Sequence, residues 1–221
     1  MYKLAIFDFD GTLVDSAPGI INVMKQVISE FGLPKATLEE WQHLVGIPLA
    51  KQMEVIFPDR DEQFRHRVLD RYRSIYDVKA VEICPPFPGL RPTLEGLRSS
   101  GVRSSIVSSK RRHLVDQVIN HHGLANYFSL VIGAQEVANH KPHPEAVHVT
   151  LKRLSLKLDE AIVIGDSIYD LDMARNAGVA SIGVTTGIHS KDILTTAQPK
   201  CIVDRLEDVL PVILDGRMNV A

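Results

Sequence analysis

The chain has 221 residues, 45% of them hydrophobic and 24% charged, the make-up of a globular protein with room for one large domain or a domain carrying a small insert. Its 25 Lys and Arg against 27 Asp and Glu leave a net charge of -2, which argues against a general binder of nucleic acid or anionic membrane and requires any anion site to be local. Two cysteines, Cys84 and Cys201, are too few for a disulfide framework and form no metal-type cluster, no basic segment leads into a long apolar one, and no run reaches membrane-spanning length, so a reduced, cytoplasmic setting is expected.

The first predicted element is a short apolar run that stops at two carboxylates one residue apart, Asp8-Phe9-Asp10-Gly11-Thr12. Such a run bounded by a glycine turn reads as a buried strand, and ligands bind in the crevice beyond strand ends of a parallel sheet. If the segment stays extended, Asp8 and Asp10 point the same way while Phe9 points back into packing. Gly11 lets the backbone turn sharply. Two anions on one side of a turn repel unless a cation separates them, which suggests a hard, oxygen-preferring metal such as magnesium. A calcium loop does not fit. Counted from Asp8, Leu13 stands where its glycine belongs and Gly19 where its bidentate glutamate belongs.

After Leu13 apolar residues recur at three and four from Ile20 to Phe31, and Gly32 with Pro34 ends that helix. Where a second strand is due, three more helices follow. One opens at Thr37-Leu38-Glu39-Glu40 with a capping-type start, and the others span residues 48–57 and 61–78. Residues 16–83 therefore read as a helical cap inserted into a core made of residues 1–15 and 84–221, with the stiff Pro85-Pro86-Phe87-Pro88-Gly89 segment marking the return. From there helices are expected at residues 90–99, 111–122, 144–154, 168–177 and 206–214. Strands are expected at 103–108, 129–133, 161–165, 179–184 and 200–203. This alternation predicts an α/β, Rossmann-like parallel sheet of about six strands with crossover helices.

Three further strand ends carry polar residues. Ser108 and Ser109 close one strand where a helix begins, an arrangement in which a hydroxyl and free backbone amides can face a phosphate. Lys141 lies between a loop and a helix whose first turn is set by Pro144, where a point cation can neutralise both a phosphate and an attacking carboxylate. Asp166 ends a buried strand, and Asp170 follows one helical turn later. Asp166 can complete a metal's oxygen ligands, and Asp170 can orient water or the lysine from behind them. Asp172 falls on another, solvated face, and His140 and His143, on a proline-rich turn, are poorly spaced for chelation.

Together, Asp8-Phe9-Asp10-Gly11-Thr12, Ser108, Lys141 before Pro142, and Gly165-Asp166-Ser167-Ile168-Tyr169-Asp170 resemble the haloacid dehalogenase-like phosphohydrolases, in order and over nearly the whole chain. The helical insert looks like the cap of the subgroup that includes phosphoglycolate phosphatase, beta-phosphoglucomutase, phosphonoacetaldehyde hydrolase and a bacterial pyrophosphatase. The resemblance implies a two-step phosphoryl transfer in which Asp8 is the nucleophile and Asp10 protonates the leaving oxygen, then activates water. It implies magnesium held by Asp8, the Asp10 backbone carbonyl and Asp166, with Ser108 and Lys141 on the phosphoryl oxygens and Gly11, Thr12 and Ser109 beside the substrate. Gly46-Ile47-Pro48 looks like the cap loop that reaches the leaving group. Lys51, and secondarily Arg71 or Lys110-Arg111-Arg112, would supply charge to an anionic one, although Arg111 and Arg112 also fit a solvated first turn.

The expected substrate is a small phosphorylated metabolite, with phosphoglycolate ahead of pyrophosphate or a sugar or nucleotide monophosphate, and a phosphomutase as an alternative. The presence of Asp10 separates the chain from the metal-free dehalogenases, and Lys51 is the one placeable candidate for the Schiff-base lysine of a phosphonoacetaldehyde hydrolase. A phosphoryl receiver domain, the non-enzyme alternative, carries its lysine last, whereas Lys141 here precedes Asp166. Nucleic acid and membrane are not expected partners, and oligomeric state is left open.

Overall fold

A computed structural model describes residues 2–215. Six strands form one parallel sheet: β1 (Leu4–Phe7), β2 (Arg103–Val107), β3 (Phe128–Ile132), β4 (Ala161–Gly165), β5 (Ala180–Val184) and β6 (Cys201–Val203), in the order β3-β2-β1-β4-β5-β6. β1 pairs in register with β2 on one side and β4 on the other, Phe7 lying opposite both Ile106 and Ile164. Strand order reverses between β1 and β4, so a crevice opens beyond their carboxyl ends.

The two central strands are buried throughout, as expected for strands covered on both faces. Side chains alternate along β1: Ala5 and Phe7 enter the larger apolar cluster, Leu4 and Ile6 the smaller. Helices α5 (Leu90–Ser99), α6 (Arg112–His121) and α10 (Val209–Asp215) cover the first face. Helices α7 (Glu145–Leu154) and α8 (Ile168–Ala177) cover the second.

Between β1 and α5 lie four helices, α1 (Ala17–Glu30), α2 (Thr37–His43), α3 (Leu49–Ile56) and α4 (Glu62–Lys79). Trp41 is fully buried against Tyr72, ring centroids 5.6 Å apart. Its Nε1 donates to Gln52 Oε1 at 2.8 Å, and Gln52 Nε2 donates to the Ile47 carbonyl at 2.7 Å. Tyr72 stacks on Tyr76, and both belong to the same apolar cluster as Phe7 and Phe9. The chain leaves and returns along paired connectors, with Asp15 N donating to Pro85 O at 2.8 Å and Phe87 N to Leu13 O at 3.0 Å.

Most expected elements differ from these by a residue or two at their ends. Three differences are larger. Thr37 makes no capping hydrogen bond: Ala36 is the N-cap, and Thr37 is already inside α2, its N–H donating to Pro34 O. The expected closing helix divides into a 3₁₀ turn, Leu206–Asp208, and α10. A helix of six residues, α9 (Lys191–Thr196), was not expected. It is too short to show a helical period and is capped by Ser190 Oγ.

Candidate active site

The ladder runs one residue past β1, Asp8 N donating to Ile164 O at 2.8 Å, and so fixes Asp8 beside the end of β4. Gly11 then turns the chain at φ +82°, and Leu13 N and Val14 N both donate to Phe9 O. Asp8, Asp166 and Asp170 are buried, each with an oxygen within 4.8 Å of the others'. Lys141 Nζ lies 2.5 Å from both Asp8 Oδ1 and Asp170 Oδ1. Asp170 Oδ2 accepts from Ser167 Oγ at 2.6 Å and from Ser167 N at the start of α8.

Thr12 is fully buried, its hydroxyl donating to Asp166 Oδ1 at 2.8 Å. The Thr12 side chain, expected beside the substrate, is spent on orienting Asp166. Gly11 likewise serves by what it lacks: a Cβ there would lie 2.4 Å from Asp166 Oδ2, and one on Gly187 would lie 1.7 Å from it. Thr186 Oγ1, beside Gly187, ties the Gly11 carbonyl at 2.6 Å.

Three carboxylates around one ammonium leave two negative charges uncompensated in a buried site. Burial pushes Asp8 up to about 7, with Asp170 adding to the rise and Lys141 opposing it. Burial, then Asp8 and Asp170, push Asp166 well above the usual carboxylate range. On Lys141 burial works against the charge, but Asp170 and Asp8 outweigh it and raise its pKa. A divalent, oxygen-seeking cation fits this donor set: it would supply the missing charge, and the glycines leave the space beside Asp166 free of side chains.

Asp10 turns elsewhere. Its Oδ1 accepts from Lys110 Nζ at 2.5 Å, and Lys110 also donates to Tyr76 OH at 2.6 Å, so the Asp10 carboxylate is anchored toward α4. Burial opposes the charge on Lys110, yet Asp10 and Cys84 together outweigh it and the pKa rises. Ser108 Oγ accepts from Lys110 N at 3.1 Å, and Ser109 Oγ donates to Gly46 O at 2.7 Å, joining the β2 end to the loop before α3. Asp8, Asp10, Asp166, Ser108, Ser109 and Gly46 all line one cavity of about 330 Å³.

Other expected members stand outside it. Lys51 is exposed on the outer side of α3, paired with Glu54 at 2.6 Å, because the helix turns Gln52 and Met53 inward and leaves Lys51 to solvent. Arg71 is exposed and bonded to both oxygens of Glu30. Arg112 pairs with Asp116 and Glu136 on the surface. Arg111 is not a solvated first-turn residue: its Nη2 spans both oxygens of Asp77 on α4, and it lines the cavity.

Four contributors went unread in the sequence. Tyr76 and Asp77 meet β2-end residues 34 positions away, and their helical period shows only that one face of α4 is buried. Thr186 and Gly187 follow β5, and a hydroxyl beside a glycine at a fifth strand end was the available signal.

A family model described as haloacid dehalogenase-like hydrolase matches residues 5–184. The chain is 35% identical over 214 residues to the "probable phosphatase IndB" of Dickeya dadantii (strain 3937), covering 95% of this chain and 93% of that one. It is 31% identical over 214 residues to the phosphoglycolate phosphatase of Yersinia pseudotuberculosis serotype I (strain IP32953), covering 94% and 91%. Among solved structures, a predicted phosphatase from Clostridium acetobutylicum matches with a TM-score of 0.86 at 29% identity, over 97% of this chain and 99% of that chain.

Proposed function

We propose that this chain, which belongs to the haloacid dehalogenase-like hydrolase family and is a phosphatase, hydrolyses a small phosphate monoester of the phosphoglycolate type by transfer of the phosphoryl group to Asp8. The observation that carries the reading is Asp8 itself, a buried carboxylate at the switch point of the sheet, bonded to Lys141 and opening onto the cavity. An Asp8 oxygen attacks phosphorus, the bond to the leaving oxygen breaks, and an aspartyl phosphate forms. Asp10 gives a proton to the leaving oxygen and takes one from the water that hydrolyses the intermediate. Since its carboxylate is paired with Lys110, giving a proton requires that pair to loosen, while taking one uses the ionised form the pair holds.

Asp8, Asp166 and the Asp10 main-chain carbonyl would hold magnesium, with Asp170 behind them positioning Lys141. The ion supplies charge that offsets the transferring phosphoryl group. Lys141 neutralises the attacking carboxylate and the incoming anion, and the Ser108 hydroxyl takes a phosphoryl oxygen. Residues 16–83 act as a cap on the core of residues 1–15 and 84–221, moving on the paired connectors and excluding water from the leaving-group side. The substrate class is supported by the cavity's size and by the name of the Yersinia relative.

Turnover of phosphoglycolate and an aryl phosphate, with magnesium and then with excess chelator, tests this. The expected result is magnesium-dependent release of phosphate, lost in chelator and faster per unit kcat/KM on phosphoglycolate. Undiminished turnover in chelator would remove the metal from the reaction.

A further inference from the structure

We propose that Arg73, with Arg111 beside it, is the specificity-determining cation that receives the anionic group on the substrate's leaving side. The inference rests on the phosphatase reading above, with the reacting phosphorus at Asp8. Three cationic side chains line the cavity: Lys110, Arg111 and Arg73. Lys110 is spent on Asp10 and Tyr76, and Arg111 Nη2 on the two oxygens of Asp77. Arg73 is half-buried and makes no ion pair with any described residue. A cation turned into a cavity without a salt bridge of its own is a receptor for an anion that arrives with the ligand.

Position agrees with that role. Arg73 stands one turn before Asp77 on α4, the helix whose Tyr76 reaches the Lys110–Asp10 pair, so it faces the side on which Asp10 meets the leaving oxygen. Burial, with Arg111 adding to it, outweighs the opposing pull of Asp70 and Asp77 and holds the Arg73 guanidinium below its usual range. Two guanidinium groups sharing a wall repel each other, and with Arg111 already held by Asp77 a carboxylate arriving on Arg73 relieves that repulsion. A planar fork also matches a carboxylate at two points, which an ammonium such as that of Lys51 does not.

The test is a ratio: kcat/KM for phosphoglycolate divided by kcat/KM for hydroxyethyl phosphate, which replaces the carboxylate with a neutral hydroxymethyl of similar size. Wild type is expected to favour phosphoglycolate, and Arg73→Gln to lower the ratio by about 10- to 100-fold, the range for losing a hydrogen bond to a charged group. Arg73→Lys, keeping charge without the fork, should give an intermediate ratio. If the glutamine variant does not fold, the lysine variant decides alone, a lowered ratio supporting the assignment. A wild-type preference retained in full by the folded variants overturns the role of Arg73 and leaves the substrate class standing. A wild type with no preference overturns both.

Discussion

At the ends of β1 and β4, Asp8, Asp166 and Asp170 are held by short bonds to Lys141, Thr12 and Ser167, in a cluster fixed to the two best-buried strands of the sheet. Across the cavity α4 meets the core through a different kind of contact, Lys110 with Tyr76 and Arg111 with Asp77, while the loop before α3 is tied by Ser109 to the Gly46 carbonyl. The first region cannot shift without disturbing a fully buried ladder. The second is joined by side chains that can part and meet again while the sheet stays intact. On the proposed reading, the phosphoryl chemistry, which needs precise placement, falls in the rigid region, and selection of the leaving group in the adjustable one.

The contrast breaks most sharply if Lys141 proves dispensable. Lys141→Met leaves two buried carboxylates without their ammonium, and breaking such a pair costs about 3–5 kcal/mol. Turnover should also fall by about 100-fold or more, as when a charge-stabilising donor is removed from a reaction centre. Urea unfolding together with aryl phosphate turnover measures both. Loss of less than about 1 kcal/mol would show that the cluster is not held as described.

A smaller effect is expected where the cluster is shaped by the absence of a side chain. Gly187→Ala puts a methyl group into the space of Asp166 Oδ2, so that carboxylate must move. Activity titrated against magnesium should show an apparent affinity weakened by about 10- to 100-fold, as for loss of a residue supporting a metal ligand. An unchanged titration would remove Asp166 from the metal's ligands.

The smallest effect belongs to the outer face of the insert. Lys51→Ala should change stability by less than about 0.5 kcal/mol, because its pair with Glu54 is exposed. The phosphoglycolate to hydroxyethyl phosphate ratio should stay at the wild-type value. A drop in that ratio would return charge recognition to α3.

The same division explains what could be read from the chain alone. Asp166 and Asp170 lie within one helical turn, so a local period was enough to bring that pair together. The six-strand alternation was readable for the same reason. The strand period did not carry from Asp8 to Asp10: β1 ends at Phe7, and the Asp10 carboxylate goes to Lys110 instead of pointing with Asp8 to Lys141. The partners of Lys110 and Arg111, and the glycine that makes room for Asp166, are decided by how distant segments pack, and no local period carries that information. Lys51 was misplaced for a local reason: a tight turn before a helix locates the helix, but the phase that sends Gln52 to Trp41 and Lys51 to solvent is set by packing within the insert.

The central claim is that the phosphoryl group passes through Asp8. Asp10→Asn, impaired in activating water, should accumulate the intermediate when mixed with an aryl phosphate, whose leaving group needs little protonation. Acid quench followed by peptide mass spectrometry is then predicted to find one added phosphoryl group on the peptide bearing Asp8, and none in Asp8→Asn. Phosphate release with no phosphoryl group on the protein at any time, or with the group on another residue, would contradict the account.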